Sequence, residues 1–441
     1  MKNKPTIYAV STGAGRAGIA IVRLSGSEAS LVVRTLAGSL PRPRYAAVRN
    51  LQFEGDVIDE TLVLWFPGPH SVTGEDVAEF HVHGSPAVLE KLFAIFSNFK
   101  DLRPAEPGEF TRRAFDNGLL DLVKVEGLAD LLAAENEAQR KSALRQFAGE
   151  NSKRFELWRT RLVEILGLSE ALIDFADEDQ AVSGVGDLVR HKVLELRDEM
   201  GEALDNSVGA IAVRLGLRIV LAGAPNVGKS SLFNSLVRRD AAIVSSRAGT
   251  TRDVVSGVAN FGGVSIAISD TAGLREDVVD EIEVAGIEKS FAEIVQSDIL
   301  IWVRSIDVVE TVGPSRTPDL YIWNKADLGL PDNLIHLRNE AALHVSNSNA
   351  ESLGEFRRCI SDLVSKRLAV LDNALLVRER HRNCVARSIR YLNDYVDQTH
   401  KPMELRTEDL RLACHAVASI TGRIGVEDLL GKIFSEFCIG K

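Results

Sequence analysis

The sequence has 441 residues, which is too long for a single hydrophobic core and predicts two or three domains. Its 26% of charged residues are mixed with 45% of hydrophobic residues, and this composition argues against long disordered segments. The net charge of −10 excludes a protein that is basic throughout, so nucleic acid would need a local basic patch or a basic partner. Because the N-terminus lacks an apolar leader and no apolar run is long enough for a membrane span, we expect a cytoplasmic protein.

The first 118 residues alternate short apolar runs with turn residues, which is typical of a compact α+β domain. Apolar runs predict strands at residues 17–24 and 62–66. Residues 77–83 alternate apolar and polar side chains, so we expect a strand with one buried face.

Leucine and alanine recur at helical spacing between residues 119 and 174, where neither proline nor a turn cluster occurs, and this pattern predicts long amphipathic helices. A second helical block is predicted from residue 371 to the C-terminus. Between the two blocks, short apolar runs alternate with helical stretches, which predicts a parallel sheet with crossover helices. The predicted strands of this sheet are residues 217–222, 264–270, 299–303, 320–323 and 342–345.

The predicted fold therefore combines an N-terminal α+β domain, an all-α domain and an α/β domain. Because each helical block is small, we expect one discontinuous helical domain into which the α/β domain is inserted. The predicted boundaries are 1–118 for the N-terminal domain, 119–214 and 372–441 for the two helical halves, and 215–371 for the insert.

Residues 223–230 read GAPNVGKS and match the phosphate-binding pattern GxxxxGK[ST] between a predicted strand and a predicted helix. Glycines allow backbone N–H groups to close around phosphates, Lys229 places a charge on the β and γ oxygens, and Ser230 offers a hydroxyl to Mg²⁺. The alternative is a chance Gly-Lys-Ser turn, and the flanking strand and helix argue against it. Nucleotide contacts are expected from Asn226, Val227, Gly228, Lys229, Ser230 and Ser231.

Two further segments predict the magnesium and γ-phosphate contacts. The segment Asp270, Thr271, Ala272 and Gly273 ends a predicted strand, where the carboxylate can hold Mg²⁺ through water and Gly273 can sense the γ-phosphate. Residues 249–253 read GTTRD, and the hydroxyl of Thr251 is available to complete the Mg²⁺ coordination.

The segment NKAD predicts that the base is guanine. Asn324, Lys325 and Asp327 follow a predicted strand, and Asp327 can accept two hydrogen bonds from the N1–H and the amine of guanine. Adenine does not present two donors at these positions, so GTP is the predicted substrate. Ser346, after the next strand, is a candidate support for the base.

The group that orients the attacking water is not evident. Leu274 follows DTAG, where Ras-like enzymes have glutamine, and no arginine finger is apparent. Several acidic residues follow between 276 and 283; most are expected to be a solvated face, and one of them is a candidate for contacting the water.

These residues resemble the MnmE (TrmE) family of GTPases, which modify the wobble uridine of tRNA. The resemblance rests on GAPNVGKSS, GTTRD, DTAGLRE and NKAD, and on FCIGK at residues 437–441. It also includes RLSG at 23–26, WFPG at 65–68, TGED at 73–76 and PGEF at 107–110. It extends over essentially the whole chain, and the N-terminal segments and the C-terminal ending are its specific part.

The resemblance implies a K⁺-activated GTPase. It assigns K⁺ to Asn226 with groups of Ser245, Arg247 and Thr250, whereas Asn226 taken alone is equally compatible with a turn residue. The resemblance also implies that a loop closes over the nucleotide, with GTP contacts from Ser245, Ser246, Arg247, Ala248, Gly249, Thr250 and Thr251. The catalytic acid falls on Glu283, with Glu281 as the substitute because the segment is one residue longer than usual.

The resemblance further implies a folate-binding N-terminal domain, in which 5-formyl- or methylene-tetrahydrofolate supplies a one-carbon group. Arg23 would contact a glutamate-tail carboxylate and Glu79 the pterin ring, with Lys441 as a third contact. Leu119 stands where the family usually has lysine.

The implied partners are a second copy bound through the N-terminal domain, the flavoprotein MnmG (GidA) in a heterotetramer, and tRNA. The implied reaction adds a carboxymethylaminomethyl or aminomethyl group to carbon 5 of the wobble uridine. One alternative is a ribosome-assembly GTPase, which would have no use for the folate-like domain or the Cys-Ile-Gly-Lys ending. Another is a folate-dependent enzyme whose G domain only regulates assembly.

Two features stay open between a functional and a structural interpretation. Cys438 is either a reactive thiol or, as its apolar neighbours favour, a small buried side chain. The second is a basic segment on predicted helix, which forms either a solvated face or a contact with tRNA phosphates. Its members are Arg378, Arg380, His381, Arg382, Arg387 and Arg390.

Overall fold

The computed structural model describes most of the chain, and its described residues divide into two compact units. The first unit comprises residues 1–132, 145–160 and 414–441, and the second comprises 133–144 and 161–413. The described residues are 4–13, 15–134, 137–174, 184–207, 217–240, 255–261, 264–270, 291–308, 313–329, 342–369, 375–424, 427–435, 437 and 440.

The first unit is built on a six-stranded sheet of order β3-β4-β5-β2-β1-β6. Strand β6 pairs parallel with β1, whereas the other neighbours pair antiparallel. The three strands predicted here are confirmed, and β4 extends further toward its N-terminus than predicted. The strands are β1 Thr6–Val10, β2 Ala17–Ser25, β3 Ala47–Phe53, β4 Asp56–Phe66, β5 Val77–Gly84 and β6 Leu102–Pro104.

Two helices, α1 Ala29–Ala37 and α2 Pro86–Phe96, cover one face of this sheet. The alternation of β5 places Phe80 in the core below them and leaves Glu79 on the opposite face. The predicted half-buried character of β5 is confirmed by this alternation. Helix α2 starts at Pro86, whose fixed φ suits the first helical turn.

The last described residues of the chain pack into the same unit. Phe434 and Phe437 share an apolar cluster with Leu122 and Val125. Gly108 has a φ of 68°, and a Cβ there would lie 2.6 Å from the carbonyl oxygen of Phe434, so the approach requires glycine. The C-terminal segment therefore completes the core of the first unit.

The chain forms twelve described helices, and the predicted helical blocks are confirmed with breaks that the pattern did not show. Residues 119–174 contain three helices, and Gly149, with a φ of 87°, separates the last two. Beyond α1 and α2, the helices are α3 Glu109–Asp116, α4 Leu122–Leu132, α5 Glu137–Phe147, α6 Glu150–Asp174, α7 Val185–Asp205, α8 Lys229–Asp240, α9 Ala350–Ala369, α10 Glu379–Asp397, α11 Met403–Ala418 and α12 Glu427–Ser435.

The second unit contains a sheet of order β12-β11-β10-β7-β9-β8, in which only the β8–β9 pair is antiparallel among the described strands. All five predicted strands are present, and β8 was not predicted. The strands are β7 Leu217–Ala222, β8 Val255–Phe261, β9 Val264–Asp270, β10 Ile299–Ser305, β11 Leu320–Asn324 and β12 Ala342–His344.

Helices α8 and α9 contribute Leu232 and Phe356 to a core with Ile219, Ile301 and Ile322 of the sheet. Because β7, β9, β10, β11 and β12 run parallel, their carboxyl ends meet at one edge, where ligands bind in open α/β sheets. None of the described helices is long and apolar enough to cross a membrane. The domain boundaries at 118, 214 and 371 stay predictions.

Candidate functional site

The loop of residues 223–228 connects β7 to α8 and has the backbone geometry that the phosphate-binding pattern predicts. Gly223 and Gly228 have φ values of 146° and 92°, and a Cβ at Gly223 would lie 2.1 Å from the carbonyl oxygen of Val303. Asn226 is exposed and adopts a φ of 61°, a left-handed conformation that asparagine tolerates well. Asn226 therefore shapes the turn, and its assignment to K⁺ stays a prediction.

Lys229 begins α8 and holds a positive charge inside the loop. Its side chain is buried, and Nζ donates hydrogen bonds to the carbonyl oxygens of Gly223 at 3.1 Å and Ala224 at 2.9 Å. Ser230 and Ser231 follow at the exposed start of the helix. A buried ammonium beside a helix N-terminus favours an anion in the loop.

Asn324 links the phosphate loop to the predicted base site. Its side chain is 1% exposed, and Nδ2 donates to the carbonyl oxygen of Val227 at 2.8 Å. A Cβ at Gly228 would lie 2.2 Å from the same Nδ2, so only glycine leaves room for this contact. Two motifs separated by about a hundred residues are thus joined by one hydrogen bond.

Asp327 lies in a short 3₁₀ turn, Ala326–Leu328, directly after β11. The hydroxyl of Ser346 donates to Asp327 Oδ1 at 2.5 Å, and Ser346 is itself buried after β12. Ser346, the candidate support for the base, therefore contacts the carboxylate that is predicted to bind the base. One carboxylate oxygen is fixed by the protein, and the contact of Asp327 with guanine stays a prediction.

Lys325 is held by a residue that the sequence alone did not single out. Its Nζ lies 2.6 Å from Oδ2 of Asp307, which follows β10 and also accepts a hydrogen bond from Ser305. The hydrogen bonds from Lys325 and Ser305 lower the pKa of Asp307 below its ordinary value of 3.8, so Asp307 is ionised at neutral pH. Because both side chains are partly exposed, the pair fixes Lys325 more than it stabilises the fold. The sequence feature that could have indicated Asp307 is its position as an acidic residue at the carboxyl end of a parallel strand.

Several predicted nucleotide and metal contacts cannot be placed. Asp270 ends β9, and its backbone pairs with Leu221 just before the phosphate loop. Residues 245–251, 271–273 and 283 lie outside the described residues, as do Cys438 and Lys441.

The two predicted folate residues of the first unit lie side by side. Arg23 on β2 and Glu79 on β5 are cross-strand partners, with Arg23 Nε 2.9 Å from Glu79 Oε1. His81 Nε2 lies 3.3 Å from the other oxygen of Glu79, and the Arg23 guanidinium lies 5.8 Å from the centre of the Phe110 ring. Arg23 and Glu79 cannot contact opposite ends of one extended molecule unless this ion pair opens.

The C-terminal residues approach the same sheet. The hydroxyl of Ser11 donates to the carbonyl oxygen of Gly440 at 2.9 Å, and the N–H of Ser11 donates to Ile21, two residues before Arg23 on β2. Gly440 is buried with a φ of 99°. Gly440 therefore lies beside the end of β1, and the assignment of Lys441 to the folate site stays a prediction.

Most polar residues of the N-terminal motif segments form one buried network. Arg113 is 2% exposed and donates to Glu109 at 3.0 Å, to Glu75 at 2.8 Å and to the carbonyl oxygen of Ser25. Burial raises the pKa of Glu109, but hydrogen bonds from Arg103, Arg113 and the backbone outweigh it, so the pKa lies below the ordinary 4.5. This network fixes the segments around Ser25, Glu75 and Glu109, and Arg23 and Glu79 form a separate ion pair beside it.

A cleft of about 560 Å³ lies on the other side of α3 and does not include Arg23 or Glu79. Its charged lining is mixed in sign, and Glu109 and Arg113 within it are already paired with each other. The cleft therefore offers no clear charge complementarity to an anionic or a cationic ligand.

Comparisons with known proteins cover the whole chain. A family model described as the MnmE helical domain matches residues 122–438, and one described as the GTP-binding protein TrmE N-terminus matches residues 6–119. The tRNA modification GTPase MnmE of Beijerinckia indica is 43% identical over 99% of this chain and 96% of its own length. Proteins of the same name from Maricaulis maris and Caulobacter vibrioides are 43% and 42% identical, each over 99% of both chains.

Proposed function

This chain belongs to the MnmE family of tRNA modification GTPases, and from that membership we propose that it hydrolyses GTP to support modification of the wobble uridine of tRNA. The observation that carries the proposal is the geometry of the carboxyl edge of the second sheet. There Asn324 donates a hydrogen bond to the phosphate loop, and Asp327, three residues later, accepts one from Ser346. The base site and the phosphate site of a guanine nucleotide therefore form a single structure.

Magnesium and potassium are the proposed ions. Ser230 and Thr251 would hold Mg²⁺, which neutralises charge on the β and γ oxygens. Asn226, with groups of Ser245, Arg247 and Thr250, would hold K⁺ at the position where other GTPases use an arginine finger. Asn226 is exposed and lies in a left-handed turn of the phosphate loop. This position supports the proposal, because an ion could reach the amide oxygen.

Glu283 is the proposed acid that orients the attacking water. Glu283→Ala should lower kcat while leaving GTP affinity within about twofold of wild type, the behaviour expected of a group that acts in the transition state. Single-turnover hydrolysis and equilibrium binding measure the two quantities, and Glu281→Ala is the matched control. Loss of hydrolysis in the control variant, with Glu283→Ala active, would transfer the role to Glu281.

A tetrahydrofolate derivative is the proposed source of the one-carbon group, and its site would be the sheet face that carries Arg23 and Glu79. The ion pair fits a role in which Arg23 fixes the carboxylate of Glu79 for the pterin N–H groups. Leu119 and Lys441 would then decide how the tail of the cofactor is held. Tryptophan-fluorescence titration with 5-formyltetrahydrofolate, repeated on Glu79→Gln, tests this site.

A second copy of the chain is the proposed partner of the N-terminal sheet. Val48, Leu62, His81 and Ile21 form one cross-strand row on the face opposite α1 and α2, and Val48 and Leu62 are 58% and 40% exposed. Exposed apolar side chains in a row favour association. We further propose that the dimer binds the flavoprotein MnmG in a heterotetramer in the cytoplasm.

Mass spectrometry of tRNA nucleosides from a deletion strain tests the proposed function. The 5-aminomethyl-type uridines should be lost and should return with the wild-type chain but not with a Lys229→Ala variant. A ribosome-assembly GTPase predicts the opposite pattern, with normal wobble nucleosides and accumulated immature ribosomal subunits. Normal nucleosides in the deletion strain would refute the tRNA assignment.

A further inference from the structure

Helix α10 carries a row of basic side chains that have no carboxylate partner among the described residues. Arg387 and Arg390 are exposed and Arg382 is partly exposed, and none of the three forms an ion pair with a described residue. Arg390 lies over the ring of Tyr391 at 5.2 Å, and Arg387 contacts the sulfur of Cys384. The opposite side of the helix is buried, with Val385, Ser388, Leu392, Tyr395 and Val396 facing the protein interior.

Several surface arginines of other described helices are paired with carboxylates instead. Arg140 pairs with Glu137 at 2.8 Å, Arg159 with Glu156 at 2.6 Å, and Arg411 with Glu408 and Glu170. Such pairs neutralise the charge within one helical turn. Within the described part of the chain, no carboxylate neutralises Arg382, Arg387 or Arg390, so their charge can act on an outside partner.

The spacing of the three arginines suits a polyanion. At about 100° and 1.5 Å per residue, residues 382, 387 and 390 lie within an arc of about 140° and span about 12 Å along the helix. Exposed Asn383 lies inside the arc and Ala386 adds no bulk there, so a phosphate backbone could approach the three guanidinium groups. A chain of net charge −10 repels RNA elsewhere and therefore needs such a local basic face.

We propose that this arginine face, Arg382, Arg387 and Arg390 on α10, binds phosphates of the tRNA substrate. The inference rests on the proposed function, because it takes tRNA as the substrate. Arginine is suited to the role since its planar guanidinium donates two parallel hydrogen bonds to phosphate oxygens. Phosphate contacts position an RNA without reading its sequence, so the face would orient the tRNA and leave base selection to other residues.

Salt-dependent tRNA binding tests the proposal. An unmodified transcript with a wobble uridine is titrated with the full chain by fluorescence anisotropy from 50 to 200 mM KCl. The triple variant Arg382→Gln, Arg387→Gln, Arg390→Gln should bind roughly tenfold more weakly or worse. The slope of log K against log[salt] should fall by about two to three, because each lost phosphate contact removes about 0.7–0.9. Glutamine preserves helix propensity, and basal GTP hydrolysis should be unchanged.

Two matched variants make the result specific. The triple change Arg140→Gln, Arg159→Gln, Arg411→Gln removes the same charge from ion-paired arginines and should leave the slope unchanged. The triple Arg→Lys change on α10 should retain most of the slope, since the charge is kept. An equal loss of affinity in the ion-paired variant would show a general effect of net charge and would overturn the arginine face.

The remaining outcomes separate this inference from the proposed function. If the wild-type chain binds tRNA and the α10 glutamine variant keeps its affinity and slope, the arginine face is wrong and the tRNA function stands. If that variant keeps tRNA affinity but loses affinity for the flavoprotein, the face is a protein interface and the RNA assignment is wrong. A wild-type chain that binds the transcript no better than serum albumin does would overturn both.

Discussion

Removing the side chain of Asn324 should weaken GTP binding without touching either the phosphates or the base-pairing carboxylate. Asn324→Ala deletes the Nδ2 donor that lies 2.8 Å from the carbonyl oxygen of Val227. Val227 is 1% exposed, so water does not readily replace the lost donor. Asp327 keeps its hydrogen bond from Ser346, and the preference for guanine over adenine should therefore persist.

The size of the effect follows from this burial. Leaving a buried carbonyl unpaired costs about 1–3 kcal/mol. Because the unpaired carbonyl belongs to the loop that encloses the phosphates, we expect most of this cost to appear in nucleotide binding. Since about 1.4 kcal/mol corresponds to a tenfold change in affinity, the Kd for GTP should rise roughly 5- to 150-fold.

Equilibrium binding of a fluorescent GTP analogue, with competition by unlabelled GTP and ATP, measures both the Kd for GTP and the preference for guanine over adenine. Asn349→Ala is the matched control, because Asn349 accepts hydrogen bonds from the N–H groups of Glu351 and Ser352 at the start of α9. This variant should lose about 1 kcal/mol of stability and keep its GTP affinity. An Asn324→Ala protein that binds GTP within about twofold of wild type would refute the proposed link between the two motifs.

Three further predictions concern the base site, the proposed K⁺ site and the buried network of the first unit. Asp327→Asn should shift the preference from GTP toward XTP, because the new amide donates a hydrogen bond where the carboxylate accepted one. Equal affinity of the wild type for ATP and GTP, measured by competition, would refute the guanine assignment. The rate of GTP hydrolysis should rise steeply with KCl but not with NaCl at equal ionic strength. Asn226→Ala should remove most of this K⁺ response while Mg²⁺-dependent GTP binding persists. An equal rate in the two salts would exclude K⁺ as the catalytic charge. Glu109→Gln should lower the free energy of unfolding by about 1–3 kcal/mol at neutral pH, measured by urea unfolding. The folded-state pKa of Glu109 lies below 4.5, so the contribution of the ionised carboxylate to the free energy of unfolding is complete above pH 4.5. This contribution is lost as the pH falls through the lower folded-state pKa. The variant should therefore lose less stability than wild type on acidification.

The nucleotide-binding sheet is largely predictable from the sequence, because fully buried parallel strands appear as short apolar runs. Leu217–Ala222 and Val264–Asp270 have the predicted bounds, and β10, β11 and β12 differ by one or two residues at an end. The strand Val255–Phe261 was missed because it contains Gly257 and Asn260, which are weak strand formers. The ends of α4 and α5 were missed because no proline marks them.

The polar contacts are predictable only in part, since they join residues far apart in the sequence. NKAD and GAPNVGKS each indicate a nucleotide site, but neither indicates that Asn324 donates to Val227. Asp307 resembles any surface aspartate until the fold brings it to Lys325. Arg23 and Glu79 were assigned separately, and only the register of β2 and β5 makes them an ion pair.

The meeting of Gly440 with Ser11 constrains the order in which the chain can fold during synthesis. Synthesis of the second unit, residues 133–144 and 161–413, is complete before residues 414–441 have been made. The first unit begins earlier but ends later, because Phe434 and Phe437 complete the cluster around Leu122 only when the last turn of chain emerges. Leu122 and Val125 therefore lack these apolar partners while more than two hundred further residues are translated, and transiently exposed apolar surface of this kind is prone to aggregate.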